Sequence, residues 1–212
     1  MVDVNDFFGV VIRPDEVLPK FLKKVDVSAA DKTYAIIGAI LGLIFGLLVA
    51  LAGAFASVFA ASAGLQQLVG IAAGLGVLAI IIFPILGAIV VVIGSRFSAW
   101  LQAKFTRLFN GLGSFENTYY LASRMVWPLV IANILVNIVA GIIPIIGGLI
   151  AIAWWLYSVY LTITLLSIAN KVSKLQALAA LIIGVIVVGI IAAVLIVILT
   201  AVILGSVIGA AQ

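Results

Sequence analysis

Residues 33–95 read TYAIIGAILGLIFGLLVALAGAFASVFAASAGLQQLVGIAAGLGVLAIIIFPILGAIVVVIGS, 63 residues without one Asp, Glu, Lys or Arg. A helix rises 1.5 Å per residue, so about 20 apolar residues cross the roughly 30 Å hydrocarbon core of a bilayer. The stretch holds two such spans, read as 34–60 and 68–93, with the polar turn SAGLQQ at 62–67 between them. The next charges along the chain are Arg96, Lys104, Arg107, Glu116 and Arg124. Residues 125–170 are again uncharged, and that run fits two spans, 119–139 and 150–168, with a turn around Gly141, Pro144, Gly147 and Gly148. After Lys171 and Lys174 no charge remains to residue 212, which leaves one long span near 176–204. The expected fold is all-α: a polytopic bundle of five transmembrane helices (34–212) behind a short leader (1–33). A six-span variant would fold the last stretch into a hairpin, but its middle has no Pro, Asn or Asp to turn on.

Composition agrees. Apolar residues make up 67% of the 212 and charged residues 8%, against about 25% charged in a soluble domain. Eighteen charged side chains cannot cover a protein of this size in water. The absence of Cys and His removes disulfides, thiolate nucleophiles, the commonest metal ligand and the commonest general base.

With five spans, all 11 Lys and Arg fall on one side. Cytoplasmic loops are enriched in these residues, so the N-terminus is expected inside, the C-terminus outside, and the protein in the cell membrane. The N-terminal stretch does not read as a signal peptide, because its first charges are acidic and its apolar run starts only at residue 34.

Two segments outside the spans are amphipathic. In 14–25, Val17, Leu18, Phe21, Leu22 and Val25 share a helical face, with Asp15 and Glu16 early and Lys20, Lys23 and Lys24 later, as the helix dipole favours. The expectation is a short interfacial helix on the cytoplasmic leaflet, its lysines near anionic headgroups. The plainer reading is a lead-in to the first span. Ser28 and Asp31 have the spacing of a capping box. In 96–109, Phe97, Trp100, Leu101, Phe105, Leu108 and Phe109 line one side, with Lys104 and Arg107 off it. This is either a second interfacial helix or the second span protruding into the cytoplasm. Asn110, Gly111 and Gly113 end it, and Ser114 caps the next helix. So few cations among bulky apolar neighbours fit a lipid surface better than nucleic acid.

Within the spans, Gly38, Gly42, Gly46 and Ala50 recur every four residues and share one face, and Gly70 and Gly74 start a similar one. Small residues let helix backbones approach closely. The face serves packing inside the monomer or, as the second reading, a homo-oligomer. Asn133 and Asn137 lie i, i+4 on the third span; a buried amide in lipid needs a partner, and Thr162 or Thr164 could supply it. Arg124 is near enough to the cytoplasmic interface to snorkel, with Glu116 two turns earlier. Pro84 and Pro128 are expected to kink or break their spans. Catalysis lacks support: there is no paired intramembrane acid, no Gly-x-Ser-x-Gly elbow and no phosphate loop. No cofactor or metal is expected.

The layout resembles the Yip family, membrane proteins named for interaction with Rab-type GTPases, and its prokaryotic branch most. The residues that carry this are FGVVIRPDEVLPK at 8–20 with its Arg13-Pro14 and Leu18-Pro19, then Gly113-Ser114-Phe115-Glu116, Trp127-Pro128 and Leu175-Gln176-Ala177. The Asp-Leu-Tyr-Gly-Pro type motif of eukaryotic members is missing, and the leader is shorter than theirs. The resemblance implies five spans and a non-enzymatic role in membrane traffic through a small-GTPase-like partner. The expected working surface is the cytoplasmic basic face of Lys20, Lys23, Lys24, Lys104 and Arg107. The alternative is a channel or transporter for lipid or a small neutral solute, using Asn133, Asn137, Thr162 and Thr164.

Overall fold

A computed structural model of the chain describes residues 4–142 and 144–210. It is all-α: α1 (Val4–Ile12), α2 (Pro14–Phe21), a 3-10 turn (Leu22–Lys24), then α3 (Val27–Ser62), α4 (Gln66–Arg107), α5 (Phe115–Ile142), α6 (Pro144–Asn170) and α7 (Lys174–Ala210). The last five are each long and apolar enough to cross a membrane. α7 is one unbroken helix rather than a hairpin.

The five long helices run up and down, so the charged residues collect at one end of the bundle. The helices overrun the apolar stretches there. α4 has 42 residues, about 63 Å at 1.5 Å each, twice the hydrocarbon thickness. Residues 96–107 therefore continue the second span and do not form a separate interfacial helix. α4 and α5 also run through Pro84 and Pro128 without breaking. Where a proline removes an N–H inside lipid, neighbouring groups must serve the freed carbonyl.

The helix ends obey local chemistry. Asp26 caps α3 by accepting the Ala29 N–H at 3.0 Å. The capping box of Ser28 and Asp31 does not form, because α3 starts at Val27 with Asp26 as its N-cap and Ser28 lies inside the first turn. Ser114 caps α5, accepting the Asn117 N–H at 3.2 Å. Gly64 (φ +74°) turns the chain between α3 and α4. The turn expected around 141–148 is shorter than the breakers suggest. α5 reaches Ile142 and α6 starts at Pro144, with Gly147 and Gly148 inside the helix. Gly147 is buried where a Cβ would collide with the backbone of Ala140, so it is a packing residue and not a turn residue.

α3 and α4 pack closely along the glycine face. Cβ atoms at Gly38 and Gly42 would overlap the carbonyls of Gly87 and Phe83, and one at Gly46 would stand 2.7 Å from the Ala79 oxygen. Ala50 meets Gly76, where a Cβ would lie 3.1 Å from the Ala50 Cα. The matching positions on α4 are thus Gly76, Ala79, Phe83 and Gly87. Gly70 and Gly74 have nothing within 4 Å among the described residues and take no part in this contact, so packing inside the monomer does not hold for that pair. Only backbone separation this short lets the two helices gain dispersion contacts without bulky side chains between them.

The buried core lies at the charged end. One cluster joins Val10, Val17 and Leu18 of the leader to Leu121 and Met125 of α5 and Leu161, Leu165 and Leu166 of α6. A second joins Ala30 and Tyr34 of α3, Ala99 of α4, and Tyr119 and Tyr120 of α5. Away from that end, large apolar side chains such as Phe55, Ile85, Leu135 and Val185 stand exposed on every long helix. Such a surface suits lipid and not water.

The leader departs from expectation. Val17 and Leu18, the apolar face expected to meet the leaflet, are 2% and 0% exposed because α1 and α2 fold onto α5 and α6. Tyr157 Oη donates to the Val11 carbonyl at 2.6 Å, and Tyr160 Oη and Lys174 Nζ donate to Asp15 at 3.0 and 2.9 Å. The hydrogen bond from Lys174 chiefly holds the Asp15 carboxyl below its ordinary value of 3.8. A depressed carboxyl stabilises the folded form above the ordinary value, and that contribution disappears as pH falls through the lower, folded value. The pair is half exposed, so it is worth about 1 kcal/mol at most. Hydrogen exchange in α1 and α2 is therefore expected to speed up several-fold between pH 6 and pH 3, after correction for intrinsic rates. Equal protection at both pH values would show that Asp15 does not hold the leader.

Candidate functional site at the charged end

Three polar clusters tie the helices together at this end. Asp31 of α3 accepts both guanidinium nitrogens of Arg96 from α4, through Nε at 2.9 Å and through Nη2, and the Tyr119 hydroxyl of α5 at 2.8 Å. The Tyr119 ring stacks on Tyr34 at 5.0 Å and on Phe115 at 5.4 Å between centroids. Bidentate pairing of this kind adds direction to charge. The second cluster is Asp15 with Tyr160 and Lys174, which fastens the leader. The third is Asn170, fully buried, whose Nδ2 donates to Thr118 Oγ1 at 3.0 Å and the Leu166 carbonyl at 3.2 Å. Its backbone carbonyl accepts the Leu112 N–H at 2.9 Å, which pins the α4–α5 connection to the end of α6. The residues alone do not reveal the second and third clusters. A signal for the first does exist: Asp31 and Arg96 lie at the two ends of the uncharged stretch and so meet at the same end of its hairpin.

The basic face divides. Lys20 is taken by Asp6 at 3.0 Å. Lys23 and Lys24 are exposed and stand in none of the four ion pairs among the described residues. Lys32 and Lys171 are likewise exposed without a carboxylate partner. Lys104 and Arg107 line a cavity of about 290 Å³ with Trp100, Gly113, Ser114 and Glu116. Lys104 Nζ lies 5.7 Å from the Trp100 ring centroid, and Arg107 Nη2 donates to the Gly113 carbonyl at 3.2 Å. Glu116 accepts from Ser114 Oγ at 3.4 Å and pairs with no cation among the described residues. Arg124 does not reach Glu116. It lies over the Tyr120 and Phe21 rings, at 4.8 and 5.7 Å, and donates to the Tyr120 hydroxyl at 2.7 Å.

The intramembrane polar residues do not form the expected stripe. Thr162 donates to the Ser158 carbonyl of its own helix at 2.9 Å. Thr164 is fully buried, and its hydroxyl has no partner among the described residues. Asn137 Nδ2 donates to the Asn133 carbonyl at 2.7 Å, so the amides pair along α5 and not with either threonine. Both amides instead line a cleft shared with Ser158 of α6.

Comparison with protein-family models, with curated proteins and with solved structures finds no match.

Proposed function

We propose that the chain is a non-enzymatic, multi-pass membrane protein of the Yip type that works as a docking platform at its charged end. That end holds on to anionic headgroups while it receives a protein partner. One observation carries this reading. Of the 11 cations, Lys23, Lys24, Lys32, Lys104, Arg107, Arg124 and Lys171 stand in no ion pair among the described residues, and all lie at the same end. The carboxylates of Asp6, Asp15, Glu16 and Asp31 are meanwhile taken by other cations. Interfacial Lys and Arg near anionic lipid are each worth about 1 kcal/mol, so the six of these that are exposed, all but Arg124, have a large summed effect. The segments 8–20 and 113–116 that carry the family resemblance form or border this end.

Photo-crosslinking in cells from positions 24 and 107, read by mass spectrometry, tests the reading. A recurrent protein adduct is expected. Replacing Lys23, Lys24, Lys32, Lys104 and Arg107 with Gln is expected to lower its yield about tenfold with the protein still in the membrane. An unchanged adduct in that variant would end the electrostatic reading, and self-adducts alone would end the docking reading.

A further inference from the structure

The cleft between α5 and α6 has a volume of about 490 Å³ and is lined by Val126, Leu129, Val130, Asn133, Val136 and Asn137 on one side and Ala151, Trp154, Trp155 and Ser158 on the other. It lies on the half of the bundle remote from the charged end, where no side chain from 125 to 170 carries a charge. Asn133 and Asn137 are both exposed to it. The pair satisfies itself only in part. Asn137 Nδ2 donates to the Asn133 carbonyl, with Asn133 Oδ1 at 3.5 Å, the outer limit of a hydrogen bond. No hydrogen bond among the described residues uses the Asn133 side-chain N–H groups or the Asn137 side-chain oxygen, and both residues line the cleft. Ser158 spends its proton on the Trp154 carbonyl at 2.9 Å and keeps only lone pairs.

In hydrocarbon each unsatisfied polar group costs several kcal/mol. Such a cleft needs an occupant that brings both a donor and an acceptor. A phosphate-bearing headgroup would meet no cation. Bulk water is disfavoured by a wall that is mostly aliphatic and indole.

We propose that this cleft binds an uncharged lipid whose head carries a hydroxyl group, admitted sideways from the bilayer. The hydroxyl accepts from Asn133 and donates to Asn137, and the acyl chain lies along Leu129 and the indoles of Trp154 and Trp155. The proposal rests on α5 and α6 lying in a bilayer and not on the role of the charged end.

The test uses the full chain with Trp100→Phe and Trp127→Phe, so that Trp154 and Trp155 alone fluoresce, reconstituted in phosphatidylcholine vesicles. Bromine-labelled diacylglycerol is expected to quench at least threefold more per mole than bromine-labelled phosphatidylcholine, and to saturate. Asn133→Leu with Asn137→Leu is expected to remove the excess and leave the phosphatidylcholine quenching. Equal quenching by the two lipids, a comparison that needs no change at the amides, would overturn the proposal. So would an excess that survives the double variant. Single-molecule photobleaching separates the remaining alternative: the same subunit count is expected with and without the amides, and a dimer that dissociates in the double variant would assign the cleft to a second copy.

Discussion

Gly42→Leu is expected to destabilise the protein by about 3 kcal/mol, the largest loss for any single side chain added on the glycine face. At Gly42 the obstacle is the Phe83 carbonyl and the Pro84 Cα, both backbone, so nothing opposite can rotate away. Overpacked sites typically lose 1–3 kcal/mol even where side chains can adjust. Here the helices must separate, and the dispersion gained along Gly38, Gly42 and Gly46 falls with them. Gly70→Leu is the matched control. It adds the same side chain to a glycine with open space around it, and should change stability by no more than about 0.5 kcal/mol. Reversible unfolding in mixed micelles, with denaturing detergent as the variable, measures both. Equal losses at the two positions would mean that lipid-facing glycines matter for another reason, and the close α3–α4 contact would be refuted as the source.

Asp31→Arg is expected to lose about 4 kcal/mol. It converts a bidentate attraction into a like-charge contact beside Arg96 and strands the Tyr119 hydroxyl without its acceptor. Two charges about 4 Å apart interact by about 4 kcal/mol at an effective dielectric constant near 20, which suits this partly exposed pair. The reciprocal change separates charge from shape. Asp31→Arg combined with Arg96→Asp is expected to recover about half of the loss in the same unfolding measurement. Tyr119→Phe alone, which removes one hydrogen bond, should lose about 1 kcal/mol. If the double reversal is no better than the single change, the cluster is held by packing and not by charge.

Much of the fold is legible in the sequence because lipid imposes a length. The five spans read from three uncharged stretches translate into five long helices in the expected order. What the sequence does not reveal is where an apolar face goes when protein and bilayer compete for it. Val17, Leu18 and Phe21 have a periodicity that fits either, and α5 and α6 take the first two. Small residues are ambiguous in the same way. Gly38 to Ala50 stand at contacts and Gly70 and Gly74 do not, although both sets keep the four-residue spacing, because register against α4 is decided by Phe83 and Gly87. The polar residues are the least legible. Asn170 is a single amide in an apolar helix, and only its neighbour across the bundle, Thr118, shows why it is there. Asn133 and Asn137 are visible as a pair, but Ser158 and the two tryptophans that complete the cleft come from another helix.

The leader is fastened by residues far along the chain. The bonds from Tyr157, Tyr160 and Lys174 to Val11 and Asp15 join positions 145 to 159 residues apart. The α3–α4 contact, by comparison, closes within about 50 residues, as from Gly38 to Gly87. Contacts close in sequence form early and distant ones late. During synthesis the glycine hairpin can therefore assemble while α5, α6 and α7 are still unmade. α1 and α2, made before α5, α6 and α7, are fixed in place only after them, and through that interval Val17 and Leu18 remain uncovered.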